Sequence, residues 1–105
     1  MVHYEYEAKH MSFYELKEAN GFVSMWSMYD GVHDVEEPSP YKARTMSYKN
    51  NWGEPVEVPL PEGTLTWLDL WKAADKCIKN SGDTHHVFVE GFKQNGGVLE
   101  LVTGS

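Results

Sequence analysis

The chain has 105 residues and a formal charge of −7, with 16 acidic against nine basic residues. That length fits one domain with one core. The 41% apolar share, with four Trp, six Tyr and four Phe, argues against a disordered chain. No apolar run reaches the roughly 20 residues of a membrane span, the start MVHYEYEAKH lacks the pattern of a secretion signal, and the single cysteine, Cys77, excludes an internal disulfide.

Val2–Ala8 alternates His3, Glu5 and Glu7 with Val2, Tyr4, Tyr6 and Ala8, the pattern of a strand with one wet face. Ser12-Phe13-Tyr14-Glu15 has the form of a capping box and predicts a short helix, Phe13–Ala19, closed by Asn20-Gly21. Phe22–Tyr29 sets Phe22, Trp26 and Met28 against Val23, Met25 and Tyr29. Both faces are partly apolar, which suits a central strand. Asp30-Gly31 is a turn. Val32–Pro40 is acidic, holds two prolines and lacks a period, so it reads as an exposed loop.

Tyr41–Lys49 predicts a further strand, with Lys42, Arg44, Met46 and Tyr48 on one side and Ala43, Thr45 and Ser47 on the other. Pro55–Leu60 carries Val56, Val58 and Leu60 on one side. Pro59 cannot donate to a ladder, which places this segment at an edge.

The main helix, about residues 66–80, is the most legible element. Thr66 and Asp69 form a capping-box pair, Leu65 and Leu70 a hydrophobic staple. Trp67, Leu70, Trp71, Ala74 and Ile78 make one apolar stripe, with Asp69, Lys72, Asp75, Lys76 and Lys79 expected in water. Asn80-Ser81-Gly82 ends it, with Gly82 suited to a left-handed cap. A hairpin follows, His86–Lys93 and Val98–Thr103, turning through Asn95-Gly96. A two-residue turn there sets Phe92 opposite Leu99, Glu90 opposite Leu101 and Val89 opposite Val102. The fold class is α+β: a single domain, 1–105, with a mostly antiparallel sheet and the main helix on one face. Leu70, Trp71, Ile78, Phe88, Val89 and Leu101 are expected in the core. The other face needs a second cover: the short helix, a loop or another subunit.

Residues 1–40 hold eight acids (Glu5, Glu7, Glu15, Glu18, Asp30, Asp34, Glu36, Glu37) against Lys9 and Lys17. Such a field disfavours nucleic acid and favours a basic protein partner. The expected contact surface is Trp26, Tyr29, Asp30, Asp34, Glu36 and Glu37, aromatic anchors ringed by acids. A homodimer is a second expected partner. The function expected is that of a small cytoplasmic, non-enzymatic accessory module without cofactor or metal. In size, acidity and lack of a catalytic signature the chain resembles the small accessory proteins that phages and mobile elements encode. Two other readings stand beside it. One is a ligand or enzyme site around His85, His86 and Glu90. Adjacent histidines on a strand point to opposite faces, so the pair alone makes no metal site. The other is an acidic mimic of nucleic acid that fills a basic groove. Lys42, Arg44 and Lys49 interleave with Tyr41, Tyr48 and Trp52, which has the look of a single-strand nucleic-acid platform. Pairing with the acidic first strand explains the same bases. Glu90 and Glu100, as paired carboxylates, fall on opposite faces in this register. Cys77 sits beside the apolar stripe and reads as packing rather than a nucleophile.

Overall fold

The computed structural model describes residues 15–27, 35–49, 55–82 and 87–104. The expected strand Val2–Ala8, the start of the short helix and the pair His85-His86 lie outside them.

The fold is α+β, built on one five-stranded sheet in the order β1-β4-β5-β2-β3. The strands are β1 (Met25–Trp26), β2 (Thr45–Tyr48), β3 (Val56–Pro59), β4 (Phe88–Asn95) and β5 (Val98–Gly104). Residues 15–20 are helical (α1), and the main helix α2 runs Trp67–Ser81. The sheet is mixed. β4–β5 and β2–β3 are antiparallel, whereas β1–β4 and β2–β5 are parallel. The hairpin β4–β5 therefore sits in the middle of the sheet, between β1 and β2.

Helix α2 forms for the reasons its sequence gives. The Thr66 hydroxyl accepts from the Asp69 N–H, and the Asp69 carboxylate accepts from the Thr66 N–H, completing the capping box. Two more N–H groups of the first turn find acceptors in an adjacent segment: Trp67 donates to the Glu37 carbonyl and Leu68 to that of Val35. At the other end Gly82 adopts φ 74°, where a side chain would be strained. The stripe Leu70, Trp71, Ala74 and Ile78 is buried, with Ala73 and Cys77 beside it.

The hairpin forms with a shifted register. Asn95 pairs with Val98, so the turn residues are Gly96 and Gly97 rather than Asn95 and Gly96. Only Gly96 of the two has a positive φ, 63°, as in the two-residue turn with glycine at its first central position. Phe92 thus lies opposite Leu101, not Leu99. Glu90 is an extra residue between the pairs Val89–Thr103 and Gly91–Val102, a β-bulge. The bulge changes which residues face inward. Val89 and Phe92, three apart, both point to the helix side and are buried, while Phe88, expected in the core, turns outward and is 36% exposed.

Three further expectations are corrected. The predicted central strand is, among the described residues, the two-residue edge strand β1, whose inward row is Phe22, Ser24 and Trp26. Val35, assigned to an exposed loop, is buried, because its segment is strapped across the start of α2. Asp75, expected in water, is 2% exposed. Its Oδ1 accepts from the N–H groups of Val23 and Ser24, each at 2.9 Å, and from Ser24 Oγ at 2.6 Å. Ser24 Oγ in turn accepts from Trp71 Nε1 at 3.1 Å. Lys79 Nζ closes the network, 2.8 Å from Asp75 Oδ2 and 2.9 Å from the Gly21 carbonyl. A buried carboxylate persists only when its oxygens are satisfied in this way. The network ties α2 to the segment that leads from α1 into β1.

The core is unusually aromatic on that side. Trp26 packs against Trp67, Trp71 and Phe92, and Phe22 against Trp71 at 4.8 Å between ring centroids. Trp26 Nε1 is buried without an acceptor among the described residues. Cys77 is wholly buried, with its thiol facing the Met46 carbonyl. Burial pushes its pKa from 9.0 up to about 12. The thiolate is the reactive form, so the native protein should resist iodoacetamide at pH 8. Full alkylation should follow in denaturant. Rapid native labelling would contradict this placement. The shift also has a sign for stability. A raised native pKa leaves stability intact below the unfolded value and erodes it as pH climbs from about 9 toward 12.

Candidate functional site

Strand alternation sorts the sheet into two faces. The covered face carries Trp26, Met46, Val58, Val89, Phe92, Leu99 and Leu101, all buried under α2 and its flanking segments. Helix α1 is docked on that same side. The Gly21 and Phe22 N–H groups donate to the Glu18 and Lys17 carbonyls, closing α1 in a Schellman cap. Phe22 then inserts against Trp71. Neither described helix covers the opposite face.

That open face carries Met25 and Phe88, paired across β1–β4, and then Val102, opposite Gly91. Val23 precedes β1 with the same parity as Met25. Val23, Phe88 and Val102 are 48%, 36% and 45% exposed, and they are the exposed large apolar side chains among the described residues. All three therefore fall on one side of one sheet. Acids frame them. Glu100 is on the same face of β5, opposite Lys93. The Glu90 carboxylate lies where a side chain on Gly104 would project, so the bulge brings it onto this face as well. Glu90 and Glu100 share a face, contrary to the sequence expectation. Gly104, over which Glu90 lies, is four residues from Glu100 along β5. At about 3.3 Å per residue they are too far apart to act as a catalytic pair.

A second feature lies on the covered side, beyond the start of α2. Ser39, residues 41–44 and residues 60–65, with Gly97 at one end, line an open groove of about 920 Å³. Ser39 donates its N–H to the Leu65 carbonyl, and Leu60 donates to the Arg44 carbonyl, fixing its two walls. Lys42, Arg44 and Glu62 are its charged residues.

The sequence-predicted residues divide as follows. Trp26 is 1% exposed in the aromatic core, so its ring is no surface anchor. Glu36 and Glu37 are exposed on the strap that caps α2. Glu90 is exposed at the bulge. Tyr29, Asp30, Asp34, His85 and His86 lie outside the described residues. Of the basic-aromatic interleaving, Trp52 lies outside the described residues, and neither described tyrosine presents an open ring face for stacking. Tyr48 is buried, its hydroxyl 3.1 Å from Thr103 Oγ1. Tyr41 is half-buried edge-on against Trp67 and Phe92. No group of three His, Cys, Asp or Glu side chains converges as a metal site among the described residues.

The chain matches no known protein family, curated protein or solved structure. No helix among the described residues is long and apolar enough to cross a membrane. Sequence reasoning left one apolar face of the sheet in need of a cover but did not identify Val23, Phe88 and Val102 as its exposed residues. The signal was present only indirectly, in the mismatch between one stripe of helix and two apolar faces of sheet.

Proposed function

We propose that this protein is a non-catalytic binding module that docks a basic protein surface on the open face of its sheet. The observation that carries this reading is the collection of Val23, Phe88 and Val102, exposed, on one face. Exposed apolar groups gathered in one place, rimmed by polar ones, mark contact surfaces more often than chance scatter does. Glu90 and Glu100 outweigh Lys93, which lies opposite Glu100, and leave this part of the rim net negative. The net charge of −7 extends that sign over the whole molecule, which steers a cationic partner and repels a second copy. Glu36 and Glu37 add to the steering field from the helix side. This moves the contact surface away from Trp26 and onto β4 and β5.

A photo-crosslinking side chain placed at Val102 tests the proposal in cells that express the protein. The same group at Lys76, exposed on α2, is the control. The expected result is an adduct from position 102 alone, with a protein of basic surface. Glu90→Lys with Glu100→Lys should weaken it, and Phe88→Lys should abolish it. Each of these substitutions is at an exposed or half-buried site and should move stability by no more than about 0.5–1 kcal/mol. An adduct of twice the chain mass would make the partner a second copy. Equal labelling from both positions would remove the open face as a specific surface.

A further inference from the structure

The groove beyond the start of α2 has a chemistry opposite to that of the rest of the molecule. Lys42 and Arg44 precede β2 in an irregular segment whose Tyr41 and Ala43 pack against the core. Met46 and Tyr48 are buried, because α2 lies over that part of the sheet. Lys42 and Arg44 lie beyond the first turn of the helix and are exposed, lining the groove instead. Here the fold leaves them a concavity.

We propose that this groove binds a small organic anion, a single carboxylate or phosphate group carried on an apolar body. Five features converge on that class. Neither Lys42 nor Arg44 makes an ion pair among the described residues, where the salt bridge is that of Lys79 with Asp75. The guanidinium offers a planar fork suited to a carboxylate or phosphate, and the ammonium a second point charge. Ser39 Oγ accepts from the Tyr41 N–H at 3.4 Å, which leaves its own proton to donate into the groove. The floor is apolar, with Leu60 and Leu65 both buried beneath the opening. A volume of about 920 Å³ is of the size that holds a small molecule.

The same residues limit the charge of the ligand. Glu62 sits on the wall with the two bases, so the groove carries a net charge of one positive unit. Around it the protein as a whole is strongly negative. A polyanion such as nucleic acid would meet that field over its whole length. A compact anion meets only the local cations. The walls are also held from two sides. Gly97 accepts from the Arg44 N–H at 2.9 Å, and the Lys42 carbonyl accepts from Gln94 Nε2 at 2.6 Å. The groove is therefore preformed on the turn between β4 and β5. It is separate from the open face, and its test is independent of the docking proposal.

The experiment is an amide NMR titration of the full chain with hexanoate, hexyl phosphate and hexanol, read at Gly63 and Gly97. Saturable shifts at both glycines are expected with at least one of the two anions. The tighter of the two names the head group. Hexanol should give no saturable shift. Lys42→Gln with Arg44→Gln, at two exposed positions, should weaken anion binding about tenfold or more while leaving the melting temperature unchanged. Three results would overturn the proposal: no saturable shift with either anion, an equal response to hexanol, or undiminished binding in the double variant.

Discussion

Trp71→Ala is expected to lower the unfolding free energy by about 3–5 kcal/mol, the range for truncating a fully buried aromatic. Against an ordinary domain stability of about 5–15 kcal/mol, that is enough to unfold much of the population on mild warming. Trp71 is 1% exposed and sits where three things meet. Its ring packs on Phe22 and on Trp26, with centroids 4.8 and 5.6 Å away. Its indole N–H donates to Ser24 Oγ. It stands on α2 one turn before Asp75. Alanine would open a cavity between α2 and β1 and also take a donor from the buried serine. Trp71→Phe isolates the second effect, since it keeps most of the ring and removes the N–H. It should cost roughly half as much. Urea unfolding followed by circular dichroism measures both. A melt of the alanine variant within about 1 kcal/mol of wild type would mean that the aromatic core is assigned wrongly.

Asp75→Ala should cost about 2–4 kcal/mol, although it removes a charge from the interior. The carboxylate is the acceptor for two backbone N–H groups and one hydroxyl, two of these donors on the fully buried Ser24. Each buried donor left without an acceptor costs about 1–3 kcal/mol. Lys79 is 44% exposed and can return to water, so its loss of a partner adds little. Asp75→Asn should retain part of the stability, because the amide oxygen can still accept from Val23 and Ser24. Lys79→Met should be the mildest of the three, since it leaves those hydrogen bonds intact. The order Ala, Asn, Met in decreasing cost is the signature of a carboxylate acting as a backbone acceptor. An order in which Lys79→Met costs most would show that the ion pair dominates instead.

The contrast between Trp71 and Asp75 shows which parts of the structure the sequence expresses. Trp71 was legible because its partners in the pattern are local: Leu70, Ala74 and Ile78 recur at helical spacing, between a Thr66–Asp69 cap and Gly82. Asp75 was not, because its acceptor role depends on Val23 and Ser24, more than 50 residues away in sequence. A helical wheel sorts side chains by apolar character and so sends a lone carboxylate to water. The hairpin was legible in existence but not in register. Asn95-Gly96 and Gly96-Gly97 are both competent turns, and a choice between them moves every cross-strand pair by two. The bulge at Glu90 has no local signal, yet it decides that Val89 is core and Phe88 is surface. For the same reason the open face could be anticipated only as an uncovered remainder. Trp26 shows the reverse error. Its surplus of aromatic neighbours suggested a contact surface, whereas Trp67, Trp71 and Phe92 enclose it.

Among the described residues the sheet is covered on one face by α2 and its flanking segments and open on the other. Methyl relaxation by a soluble nitroxide measures this without knowledge of any partner. Val23 and Val102 methyl signals should broaden strongly in dilute protein, and those of Leu99, Leu101, Val89 and Ile78 should not. Protection of Val102 equal to that of Leu101, unchanged on dilution, would show that the chain itself covers this face and would contradict the proposed docking surface.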